Sequence, residues 1–93
     1  MTYVKRWSEE AQEDLRLMTE AVRNRVRIMA VTVAAAPHAE QGQVDSVSGL
    51  RVRPVDGTML EICYEPDITS KTVVIHAVRP VQDLYGDPYV DLV

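Results

Sequence analysis

Two arginines and a histidine are spaced for work on a phosphate. Arg51 and Arg53 stand two residues apart in Leu50-Arg51-Val52-Arg53, and His76 lies within Thr72-Val73-Val74-Ile75-His76-Ala77. A guanidinium is a rigid fork of donors that matches phosphate oxygens. An imidazole titrates near neutrality, so it can take or give a proton at physiological pH. Arg79 follows His76 closely, and Lys71 ends the turn ahead of it. Other chemistry is sparse. Cys63 is the one cysteine, so no intrachain disulfide can form, and without an activating partner its thiol reads as a small apolar group. His38 and His76 lack metal-ligand spacing, and no Gly-rich phosphate loop exists, so no metal or other cofactor is expected.

The elements that must position these residues are strands. The spacing predicts an antiparallel β-meander over residues 50–77, with Asp56-Gly57 turning the first hairpin. Period-2 alternation sends Leu50, Val52, Leu60, Ile62, Tyr64, Val73, Ile75 and Ala77 to a core face. Arg51, Arg53, Glu61, Cys63, Val74 and His76 go to an open one. Loop length decides the sorting, because one residue of slip inverts every side chain. A two-residue turn pairs Arg53 with Leu60 and Arg51 with Ile62, setting charges among core residues. A three-residue loop, Val55-Asp56-Gly57, pairs Val52 with Leu60 and Leu50 with Ile62. The three-residue loop is therefore expected, with Gly57 left-handed beside a bulge.

Ahead of the meander, residues 2–7 suit a short strand. Ser8 reads as a helix N-cap followed by Glu9 and Glu10 in the first turn. Ala11, Leu15, Met18 and Val22 recur at helical spacing. Thr19 caps a second helix carrying Val22, Val26, Met29 and Val33. It runs through the β-branched Val31-Thr32-Val33 and stops near residues 35–36, ahead of Pro37. Arg16, Arg23 and Arg27 read as a solvated helix face. Residues 38–49 form a loop with a short strand around 44–47, and residues 65–71 make a longer turn. The expected fold class is α+β: an N-terminal strand, an αα-hairpin, then an antiparallel meander with both helices on one sheet face. One domain spans residues 1–79. An acidic tail, 80–93, carries Val81, Leu84, Tyr85 and Tyr89 for docking on the domain or on another chain.

Composition narrows the classes of function. Ninety-three residues fit one domain with a single core. The net charge of -4 argues against a globally basic nucleic-acid surface. The acid is uneven, however. The tail holds Asp83, Asp87 and Asp91 and no Lys or Arg, so a local basic patch is compatible with the total. No signal-peptide apolar region opens the chain, and no run approaches the ~20 apolar residues of a membrane span. A cytoplasmic protein with no membrane contact is expected.

The order strand, helical hairpin, meander resembles the RelE/ParE toxin superfamily. The resemblance rests on Tyr3-Val4-Lys5-Arg6-Trp7-Ser8-Glu9-Glu10-Ala11-Gln12-Glu13-Asp14-Leu15, on the helix ending at Ala36-Pro37, and on three strands. The strands are Leu50-Arg51-Val52-Arg53, Glu61-Ile62-Cys63-Tyr64-Glu65 and Val73-Val74-Ile75-His76-Ala77-Val78-Arg79. The resemblance covers residues 3–79 and implies a bacterial toxin of a type II toxin–antitoxin system. Members of the RelE kind enter the ribosomal A site and cut mRNA, and those of the ParE kind bind DNA gyrase. It also implies a cognate antitoxin that wraps the toxin, with a homodimer or a toxin–antitoxin heterotetramer as the assembly. The primary expectation is a RelE-like ribosome-dependent mRNA endoribonuclease. Its catalytic candidates are His76, Arg53 and Arg79, and its RNA-phosphate contacts are Arg51, Arg53 and Lys71. Glu61 stands about where the family often has an arginine. That departure and the net charge motivate the alternative, a gyrase inhibitor or a toxin relative that binds without cutting. A third reading, unrelated to toxins, is an assembly domain that uses its tail.

Overall fold

Short polar side chains decide where this chain turns helical. The computed structural model describes residues 2–38, 43–44 and 49–81. In it β1 (Val4–Trp7) leads into α1 (Glu9–Arg16) and α2 (Glu20–Ala35). Then come β2 (Gln43–Val44), β3 (Arg51–Pro54), β4 (Leu60–Asp67) and β5 (Thr72–Pro80). The Ser8 hydroxyl accepts from the Ala11 N–H at 3.1 Å, and Thr19 does the same for Val22 at 3.3 Å. Both caps fall where the sequence predicts them. Val31-Thr32-Val33 stays helical because Val33 is fully buried and tertiary packing outweighs its local strand preference. Arg23 departs from its expected solvated role. Its Nε donates to the Leu15 carbonyl at 3.0 Å, beside the Met18 N–H on the same oxygen, and its Nη2 donates to the Met18 carbonyl at 2.9 Å just past the end of α1.

The five strands are ordered β1-β5-β4-β3-β2, with β1 parallel to β5 and every other pair antiparallel. Both helices cover one face. Ala11, Leu15, Val26, Met29, Ala30 and Val33 pack with Ile62, Tyr64, Val73, Ile75 and Val78 in one cluster. Each fully buried Val or Ile there contributes ~1.5–3 kcal/mol relative to exposure. The α+β arrangement is the one expected from the sequence. Beyond Ile75, β5 outruns β1, and α1 serves its open edge instead. The Ser8 N–H donates to the Ile75 carbonyl at 3.0 Å, the Ser8 hydroxyl to the His76 carbonyl at 2.7 Å, and the Val78 N–H to Asp14 Oδ2 at 3.0 Å. No helix among the described residues is long and apolar enough to cross a membrane. The expected docking residues Leu84, Tyr85 and Tyr89 and the Val47 end of the short strand lie outside the described residues.

The β3–β4 register corrects the sequence reading. Arg51 pairs with Tyr64, Val52 with Cys63 and Arg53 with Ile62. The Val55 N–H donates to the Leu60 carbonyl at 2.9 Å, so the loop is residues 56–59, longer than either alternative weighed from the sequence. Thr58 is the reason. Its N–H and its hydroxyl both donate to the Val55 carbonyl, at 3.1 and 2.8 Å, and the hydroxyl accepts from the Leu60 N–H at 3.0 Å. Gly57 does take the left-handed conformation, at φ 79°. A second irregularity lies between β4 and β5. Tyr64 pairs with Ile75 and Cys63 with Ala77, so His76 is the extra residue of a bulge. Val52 and Ala77 therefore lie on the face away from the helices, not in the expected core.

Candidate functional site

Directly paired residues of neighbouring strands share a face. Arg51 and Arg53, opposite the core residues Tyr64 and Ile62, lie on the helix side of the sheet. Glu61, Cys63, Ala77 and Arg79 lie on the reverse side. His76 belongs to that reverse side as well, because its Nε2 meets Glu65 Oε1 at 3.3 Å and Glu65 alternates with Tyr64. The expected single face of Arg51, Arg53 and His76 does not form. The odd three-residue displacement of β4 relative to the expected pairing turns the arginines over, while the bulge leaves His76 outside.

On the reverse face both predicted catalytic groups are already paired. Arg79 Nε donates to Glu61 Oε2 at 3.1 Å, and the two are register partners across β4 and β5. Glu61 is the one buried charged residue among those described, its side chain 9% exposed, while that of Arg79 is 27% exposed. A carboxylate taken this far from water needs its cation. Much of the Arg79 charge is thereby committed. The His76–Glu65 contact is looser, with both side chains more than a third exposed.

The helix side differs. Arg51 and Arg53 both bear on the Tyr64 phenol: burial pushes its pKa up, and the two guanidinium charges pull it back. Among the described residues no carboxylate lies within ion-pair range of either arginine. Arg53 also faces α2 across a cleft shared with Arg25, Ile28, Met29, Thr32 and the acidic Asp56. Arg51 and Tyr64 line a second cleft of about 420 Å³ with His38, Val44, Pro66 and Ile68. Lys71 joins neither arginine. It has φ 56°, and its Nζ stands 5.8 Å from the centroid of the Tyr3 ring. The Tyr3 hydroxyl lies 3.4 Å from His38 Nε2. Sequence reasoning missed His38 in this setting. It follows the helix-ending Pro37, and no spacing rule ties it to Arg51. Among the described residues no group of three or more His, Cys, Asp or Glu is placed to hold a metal ion.

Comparison with known proteins supplies a fold but no sequence relative. No family model matches the chain, and no curated protein matches it. Solved structures do. The intact RelBE toxin–antitoxin complex of E. coli matches with a TM-score of 0.74 at 16% identity, covering 85% of this chain and 96% of that one. The RelBE2 toxin–antitoxin complex of Mycobacterium tuberculosis matches with a TM-score of 0.74 at 20% identity, covering 87% and 93%. The isolated RelE toxin of E. coli matches with a TM-score of 0.74 at 15% identity, covering 98% and 99%. The chain has the fold of these toxins.

Proposed function

We propose that this chain is the toxin of a toxin–antitoxin pair and that it stops translation by cutting mRNA on the ribosome. The supporting observation is the likeness to RelE along almost the whole chain, to the isolated toxin and to toxin held by an antitoxin alike. The partner implied is a cognate antitoxin. Cleavage through a 2′-hydroxyl needs a base for that proton, an acid for the leaving 5′-oxygen and cations at the scissile phosphate. Arg51 and Arg53, in no described ion pair, lie on the face opposite His76 and Arg79, so they are read as RNA contacts away from the scissile phosphate, with Lys71 a further one. His76 and Arg79 are the catalytic candidates. Each must first part from its carboxylate, Glu65 or Glu61. Those two pairs favour a second reading, a toxin-like protein that binds its target without cutting.

Toe-printing of a defined mRNA on ribosomes tests both. Under the first reading the full chain produces new 5′ ends, and His76→Ala and Arg53→Ala suppress them. Intact transcripts with translation still blocked would leave the binding reading in place. Full translation at saturating protein would remove the toxin proposal.

A further inference from the structure

We infer that the cleft lined by His38, Arg51 and Tyr64 on the helix side of β3 binds a nucleotide, the phosphate at Arg51 and the ring on the apolar wall. Its size suits the class: about 420 Å³ lies within the range of small-ligand pockets. Its lining divides by chemistry. Val44, Pro66 and Ile68 form an apolar wall, with Val44 and Ile68 each 62% exposed, so a flat ring laid there covers surface that is otherwise wet. Arg51 supplies a permanent cation with no described carboxylate in range, and Arg53 adds a second positive field at Tyr64.

Tyr64 is the observation that points to a ligand. The residue is 1% exposed, yet no hydrogen bond to its hydroxyl is found among the described residues. Tyr64 lines the cleft beside Arg51, so its hydroxyl is a donor that a ligand seated there would satisfy. There it can donate to an oxygen held by Arg51. Its proton stays on through the physiological range, because burial raises the pKa of the phenol. His38 stands over the same cleft, held at 3.4 Å from the Tyr3 hydroxyl, and Lys71 adds positive charge behind that ring. Glu65 also lines the cleft, and its carboxylate lies 3.3 Å from His76 Nε2 on the other face of the sheet. Cation, donor, imidazole and apolar wall together fit a nucleoside monophosphate unit better than a bare anion or an uncharged ring. The inference does not depend on RNA cleavage.

Titration calorimetry of the full chain with adenosine monophosphate and with inorganic phosphate tests it. Adenosine monophosphate binds, and Arg51→Met weakens it by about tenfold, the scale of one lost charge-assisted contact. Tyr64→Phe, which keeps the packing and removes only the hydroxyl, weakens it several-fold. Arg16→Ala on the outer surface of α1 leaves it unchanged. Phosphate alone binds more weakly and loses its affinity in Arg51→Met. Far-ultraviolet circular dichroism checks that each variant is folded. Equal affinity for phosphate and the nucleotide would reduce the cleft to an anion site and overturn the assignment. So would nucleotide binding indifferent to both Arg51→Met and Tyr64→Phe, or no binding to the folded wild-type chain.

Discussion

Replacing Arg79 by Met should be among the most damaging single changes on the reverse face of the sheet. The substitution keeps a long apolar stem and deletes the donor at 3.1 Å from Glu61 Oε2. The carboxylate left behind sits on a side chain 9% exposed. Removing one partner of a fully buried pair costs about 3–5 kcal/mol. Arg79 is about a quarter exposed, so water already screens part of the attraction, and about 2–3 kcal/mol is the expected loss. For a domain of this size that lowers the melting temperature by roughly 10–20 °C. Glu61→Leu should cost less, about 1–2 kcal/mol, because the guanidinium can swing its head toward water. The double variant should return to within about 1 kcal/mol of wild type. Urea denaturation of all four proteins closes a double-mutant cycle in which any other contact of Arg79 cancels. Single losses below about 0.5 kcal/mol that simply add would refute the argument. Arg79 would then be a loosely held cation, and the case for binding without cleavage would lose its main support.

Other consequences are as direct. Tyr64 should ionise at higher pH than an exposed tyrosine, seen as the difference in phenolate absorbance between wild type and Tyr64→Phe. Because the folded state holds that proton longer, its stabilising contribution is full below the unfolded phenol's pKa and is lost as pH rises through the folded value. Arg51→Met should move the ionisation higher still. Ser8→Ala removes both the cap on Ala11 and the bond to the His76 carbonyl, and should cost about 2 kcal/mol by chemical denaturation. Arg23→Ala leaves the Met18 carbonyl without its side-chain donor and the Leu15 carbonyl with only the Met18 N–H, and about 1 kcal/mol of stability should go with it. Arg23→Lys recovers less than half of that, since one ammonium replaces a fork.

Periodicity and caps made the helical half legible. Ser8, Thr19 and the apolar stripes specify α1 and α2 because each is read within a few residues, and Val33 confirms that a continuous stripe outweighs a local β-branched preference. The strands were legible in kind but not in register. Asp56-Gly57 announces a turn, yet the loop length depends on the Thr58 hydroxyl, which closes it through Val55 and Leu60. The His76 bulge has no local signature, since it arises from how β5 meets β4 and α1 together. The β3–β4 register therefore separated Arg51 and Arg53 from His76, and the bulge moved Ala77 out of the expected core. The ion pairs were likewise out of reach: Glu61 and Arg79 become neighbours only through a register 18 residues apart in sequence.

The parallel pairing of β1 with β5 bears on the order in which the fold can close. Val4 to Trp7 find their hydrogen-bonding partner only at Thr72 to Ile75, so a growing chain holds its opening strand without a mate until nearly all of the described fold has been synthesised. Ser8 and Asp14 wait with it, since the groups they cap lie on that same last strand. Closure of the sheet edge at β1 is thus a late step of folding, after the β3–β4–β5 meander is available.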